Sequence, residues 1–214
     1  MNTTEQTVAK YLLDIEAVKL SPSKPFTWAS GWKSPIYCDT RKSLSFPEIR
    51  KNMVNSIVTI IKNNFHDVEI IAGVATGGIA WGAIVADILG LPFVYVRSAP
   101  KDHGMGNQVE GIVPQGAGMV VIEDLVSTGK SSLEAAKALA KAGAIIKGMV
   151  ALFSYNFDVS RNAFEMAGVE LHTLSNYDTM IDIAKESGYI REEDVDTLRD
   201  WRVRPSVWGT EQHN

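Results

Sequence analysis

An α/β fold with a doubly wound, mainly parallel sheet follows from the patterning of this chain. Four short apolar runs, Ile70-Ile71-Ala72, Phe93 to Val96, Met119 to Ile122 and Met149 to Phe153, are mostly β-branched or aromatic and lack strict alternation. Strands covered on both faces read this way. Segments of helical length separate them: Ile79 to Leu89 ends at Gly90 and Pro92, and a segment opened by Ser131-Ser132 ends at Gly143. Strand, helix and strand in that succession form βαβ units.

Taken in order, Thr4 to Leu20 and Phe46 to Phe65 are amphipathic helices, the second with Ser45 as N-cap and Pro47 in its first turn. Between them, Ser21 to Asp39 is rich in Pro, Ser and aromatics and predicts strands and turns. The helix after the third run places Leu133, Ala136, Leu139 and Ala140 on one face and Glu134, Lys137 and Lys141 on the other. Two further helices are expected over Tyr177 to Ser187 and Glu192 to Arg202. Arg97 to Gly118 carries little apolar pattern between two good strands, and a structureless loop of that length is uncommon unless it has a function.

A chain of 214 residues suffices for one α/β domain of ordinary size. Its 45% hydrophobic and 21% charged content fits a globular protein. The net charge of -4 leaves no basic surplus for a nucleic-acid or membrane partner, although a local basic loop can still serve a small anion. A single cysteine, Cys38, excludes an internal disulfide and a cysteine-based metal site and suits a reducing compartment. Glu5 and Asp14 stand where a signal peptide would be basic then apolar, and no run approaches the roughly 18 apolar residues of a membrane span. A cytoplasmic location is therefore expected.

The segment Val120 to Ser131 carries the chemistry. Glu123 and Asp124 end an apolar strand, where open α/β sheets place their ligands, and Leu125-Val126 lead into Ser127-Thr128-Gly129-Lys130-Ser131. At such a corner unpaired N–H groups, hydroxyls and the positive end of a helix dipole converge, which suits a phosphate monoester. The two carboxylates lie about a sugar's width upstream and can accept hydrogen bonds from ribose hydroxyls. Taken alone, the Thr-Gly-Lys-Ser piece reads equally as an ordinary capped turn. It is not a P-loop, because Asp124 stands where the first glycine of that motif belongs.

A hydrophobic strand, two acids, two apolar residues and a Ser-Thr-Gly-x-Ser turn resemble the 5-phosphoribosyl 1-diphosphate signature of type I phosphoribosyltransferases. Val74-Ala75-Thr76-Gly77-Gly78 is similar to that family's diphosphate loop, where small residues let backbone amides approach an anion. Arg97 to Asn107, with Lys101-Asp102-His103-Gly104, resembles the mobile catalytic loop of the orotate-using branch of the family. Phe26 to Asp39, with its Phe-Thr and Ser-Gly-x-x-Ser-Pro elements, resembles that branch's N-terminal hood.

The resemblance implies a type I phosphoribosyltransferase fold with an N-terminal helix and hood over residues 1–45, a core over 46–175 and C-terminal helices packed on it over 176–214. It implies transfer of a phosphoribosyl group to orotate, with Lys101, His103 and Asp124 catalytic. The donor would be bound by Arg97, Lys101, His103, Thr76, Gly77 and Glu123 to Ser131, and orotate by Ser127, Ile36 and Tyr37. Mg²⁺ would be held mainly by substrate oxygens, with no protein ligand expected. A homodimer would carry Lys101 and His103 into the neighbouring site.

Three positions depart from well-known members: Ala29 stands in place of a lysine, Ser98 in place of a second basic residue of the loop, and Phe157 in place of an arginine assigned to orotate's carboxylate. Lys33, Arg41 and backbone N–H groups around Ile36 and Tyr37 are the alternative carboxylate partners. Two other functions stand beside the leading one. One is transfer to another nucleobase; the other is a regulator that senses the donor without turning it over, for which no DNA-binding segment or basic face is found.

Overall fold

Three of the four apolar runs become strands buried on both sides, the run at Phe93–Val96 being half-buried on one, and the alternation of their side chains divides the core in two. In the computed structural model, which describes residues 3–28, 30–97 and 108–209, the order begins α1 (Thr4–Asp14), β1 (Val18–Leu20), β2 (Phe26–Thr27), β3 (Lys33–Ser34), β4 (Ile36–Cys38) and a 3-10 turn over Thr40–Ser45. It continues α2 (Pro47–Asn64), β5 (Ile70–Val74), α3 (Gly77–Leu89), β6 (Phe93–Val96), β7 (Val109–Glu110), β8 (Gly118–Val126) and α4 (Lys130–Lys141). The last elements are β9 (Ile145–Ser154), α5 (Asp158–Ala167), β10 (Leu171–Asn176), α6 (Tyr177–Glu186), a 3-10 turn over Glu192–Asp194, and α7 (Val195–Val203).

The main sheet has the order β10-β9-β8-β5-β6-β7; all its pairs are parallel except β6 with β7. From β5 the chain winds one way through α3 to β6. From β8 it winds the other way through α4 to β9, so the topological switch point lies between β5 and β8, where open sheets bind ligands. Ile71, Val120, Ile122, Val150 and Leu152 face α1, α2, α3, α6 and α7; Ile70, Ala72, Met119, Val121, Met149 and Ala151 face α4 and Phe164 of α5. No helix among the described residues is long and apolar enough to cross a membrane.

The structure corrects several boundaries. The first helix stops at Asp14 rather than Leu20, because Glu16 takes a left-handed backbone (φ 51°) and Val18–Leu20 pairs antiparallel with β4. Ser45 does not cap α2; Phe46 occupies that position without a side-chain bond, and Pro47 at the first helical position supplies the start. α4 begins at Lys130, with Gly129 as its N-cap. Part of the unpatterned stretch is ordered: Val109–Glu110 pairs with β6, while residues 98–107 lie outside the described residues. α5 and β10 carried no clear signal, since β10 is an edge strand of mixed polarity, Leu-His-Thr-Leu-Ser-Asn.

Candidate active site

Two strand-to-helix corners meet at the switch point. Adjacent residues of a strand point to opposite faces, so the paired acids near the end of β8 have different surroundings. Glu123 is 5% exposed; one carboxylate oxygen accepts from the Ser132 hydroxyl of α4 at 2.8 Å and the other from the Asp124 N–H at 3.0 Å. Asp124 faces the other way, towards α3, and accepts a long hydrogen bond from the Thr40 hydroxyl, 3.4 Å. A Cβ on Gly77 would overlap the Asp124 carboxylate, and one on Gly78 would overlap the Ile122 carbonyl. Only glycine lets the start of α3 come this close to β8. The preceding Ala75–Thr76 peptide is cis, and Thr76 precedes α3 without capping it through its side chain.

The second corner is the hydroxyl-rich turn. Leu125 and Val126 complete β8, Ser127 and Thr128 are half-buried, and Lys130 and Ser131 are exposed. Gly129 between them has φ +80°, and a side chain there would meet the Phe164 ring at 2.9 Å and the Ser160 hydroxyl at 3.1 Å. No side chain caps α4, so its N-terminus and dipole present themselves to an anion at the end of the sheet.

The carboxylates differ electrostatically as they differ in position. Burial, followed by the charge of Asp124, pushes the Glu123 carboxyl up to about 8, so Glu123 retains its proton near neutrality. Burial also raises the Cys38 thiol well above its ordinary range, with the Asp124 carboxylate adding to the effect, so Cys38 is an unreactive neighbour of the site.

The hood arrives over the same corner through β4 and Thr40. Ile36 is fully buried; its N–H donates to the Ser34 hydroxyl at 3.2 Å, and its carbonyl accepts from Ser34 and from the Trp28 indole. Tyr37 is exposed, with its ring against Phe26. Lys33 turns along the hairpin to donate to the Thr27 hydroxyl at 2.9 Å, and Arg41 pairs with Asp39 at 2.6 Å. Phe157 is buried and stacked on Tyr155, with ring centroids 5.5 Å apart, so it forms part of an aromatic floor. Arg97 lies 3.7 Å from Glu110 across the β6–β7 edge.

Thus Asp124, Gly77, Thr76 and the 125–131 turn come together, with Glu123 tucked behind them. Lys101, His103, Ala29 and Ser98 lie outside the described residues. Thr40, Ser132, Ser160 and Phe164 were missed as supports of the site. Ser132 was visible as one more hydroxyl in the run after Gly129, whereas Thr40 meets Asp124 across 84 positions with no local signal. Among the described residues, no group of three or more His, Cys, Asp or Glu could hold a metal ion. The oxygen donors that Asp124 and the neighbouring hydroxyls supply suit a hard cation shared with a substrate.

An uncapped helix start beside a half-buried carboxylate at a sheet's switch point suits a sugar phosphate and its transfer. A family model, the phosphoribosyl transferase domain, matches residues 43–162, which include both corners. The chain is 53% identical to the orotate phosphoribosyltransferase of Porphyromonas gingivalis over 209 residues, 98% of this chain and 100% of that one. It is also 53% identical to that of Bacteroides thetaiotaomicron over 208 residues, 97% and 98% of the two chains. The crystal structure of orotate phosphoribosyltransferase from Aeropyrum pernix superposes with a TM-score of 0.73 at 27% identity, covering 86% of this chain and 99% of that one. The chain belongs to the orotate phosphoribosyltransferase family.

Proposed function

We propose that this protein transfers the 5-phosphoribosyl group of 5-phosphoribosyl 1-diphosphate to orotate, giving orotidine 5′-phosphate and diphosphate in pyrimidine biosynthesis. The observation that carries this reading is the placement of the Asp124 carboxylate against Gly77 and Thr40, in the strand that leads into the 127–131 turn. In this arrangement the 5′-phosphate occupies the 127–131 turn, the diphosphate lies at Thr76-Gly77, and the ribose hydroxyls face Asp124, with Glu123 behind it.

Breaking the C1–oxygen bond of the donor leaves positive charge on the ribose ring as the diphosphate departs with the electron pair. A ring nitrogen of the base then forms the new bond to C1 and gives up its proton, which the departing diphosphate or solvent takes. Asp124 holds the ring in place and lies near the developing charge, which its fixed position stabilises without reorganisation. Arg97, Lys101 and His103 supply cations that match the leaving group, and closing them over the site excludes water from a reactive intermediate. The base lies under the hood, against Ser127 and the β4 backbone at Ile36 and Tyr37. Mg²⁺ would be held mainly by substrate oxygens, with Asp124 and the neighbouring hydroxyls as the chain's own oxygen donors, and would supply positive charge against the leaving group. In a cytoplasmic homodimer each loop serves its neighbour's site.

The decisive assay follows orotate absorbance with purified protein, donor and Mg²⁺, with uracil, adenine and hypoxanthine as competitors. Orotate is consumed and the other bases are not. Donor binding without consumption of any base would leave a donor-sensing regulator in its place.

A further inference from the structure

The hood hairpin is too short to hold its own position. β2 and β3 have two residues each, and a two-stranded ribbon of that size is not stable alone. One of its two indole anchors comes from the far end of the chain, outside the 43–162 segment that the family model matches. The indole N–H of Trp201 in α7 donates to the Lys33 carbonyl at 3.1 Å, and the Trp28 indole donates to the Ile36 carbonyl at 3.1 Å. Trp201 is fully buried and edges onto Trp28 at 5.5 Å and Phe157 at 5.3 Å, which closes the aromatic floor beneath the hood.

The next residue holds the opposite wall. Arg202 donates to the Asn156 carbonyl at 3.1 Å and pairs with Asp178 at 3.1 Å, gripping the segment after β9, where Asn156 has φ 54°. The Tyr177 hydroxyl, bonded to the Leu198 carbonyl at 2.9 Å, locks α7 to α6. α7 therefore grips the hood at Lys33 and the segment after β9 at Asn156, whereas the 127–131 turn rests on Phe164 and Ser160 at Gly129.

We propose that Trp201 is a positioning residue for the base: through the Lys33 carbonyl it sets the height of the hood, and so the fit of orotate, while leaving the donor site untouched. This rests on the base lying under the hood, as in the proposed function. A shift at Lys33 is transmitted through Ser34 and Ile36 to β4, because the Ser34 hydroxyl bridges both backbone groups of Ile36.

Trp201→Phe keeps one aromatic ring in the floor and removes the indole donor together with the second ring. Steady-state kinetics should show a rise of about fivefold in KM for orotate, the worth of one hydrogen bond, with kcat and the donor KM within about twofold of the parent. Hydrogen exchange should accelerate at amides 33–38 and not at 119–131. Trp28→Phe, which removes the second indole donor, should act in the same direction and serves if the first variant folds poorly. An unchanged orotate KM, or an equal rise for both substrates, would overturn the proposal. A parent protein inert towards orotate would instead strike the function, so the two failures are distinguishable.

Discussion

The 123–132 corner and the hood hairpin are held by opposite means. At the corner, Glu123 and Ser132 bond across nine positions, and strand, turn and helix follow one another without interruption. In the hairpin, the bond from Trp201 to Lys33 spans 168 positions, and the bond from Thr40 to Asp124 spans 84. The corner proposed for the donor is thus a local structure, with a second strand-to-helix corner at 74–78. The wall proposed for the base is a tertiary assembly of weak strands, aromatic rings and single hydrogen bonds. A local corner tolerates change elsewhere in the molecule, whereas an assembled wall responds to substitutions far from the ligand.

Substitutions can break this contrast. The largest effect is expected at Lys101→Ala, with turnover reduced on the order of 10²- to 10³-fold and only a modest loss in donor affinity by calorimetry. Equal turnover in that variant would remove the loop from the chemistry. Gly77→Ala comes next. Its Cβ would displace the Asp124 carboxylate, so kcat/KM should fall roughly a hundredfold, the scale of a small misplacement of a catalytic group. The loss should appear equally with any base that is accepted, because the change lies on the donor side.

The buried acid predicts a pH effect. Glu123 has a higher pKa in the folded protein, about 8, than the ordinary 4.5 it regains on unfolding. The folded state therefore binds the extra proton. Its contribution is full below pH 4.5, declines as pH rises towards 8, and is gone above that. Between pH 6 and 8 the protein should lose about 2 kcal/mol of unfolding free energy from this group. Glu123→Gln should flatten that slope in denaturant titrations; an identical slope in the variant would mean another group carries it. The smallest effect is expected for Thr40→Val, which deletes one long hydrogen bond to Asp124 and should lower kcat/KM about three- to fivefold.

How much was legible follows the same division. β5, β6, β8 and β9 were readable because both faces of each are covered, so each run is continuously apolar. β10 at the sheet edge and α5 behind it were not, because partial burial leaves mixed residues there. Within the site, the phosphate turn and the glycine pair stood out by type and spacing. Phe157 looked like a gap in a basic pocket, and only its packing on Tyr155 and Trp201 shows it as part of the floor.

By itself the order of residues determined the four central strands, their βαβ succession and the two strand-to-helix corners, since each of these depends on neighbours along the chain and on a periodicity that burial imposes. Tertiary structure alone decided what each acid faces: Ser132 and a dry interior for Glu123, Thr40 and the open cleft for Asp124. It alone decided that α7 steadies the hood. The reason is physical: hydrogen bonds and ring contacts between distant segments arise only after loop closure has brought them together, and nothing in the local pattern of either partner records the other.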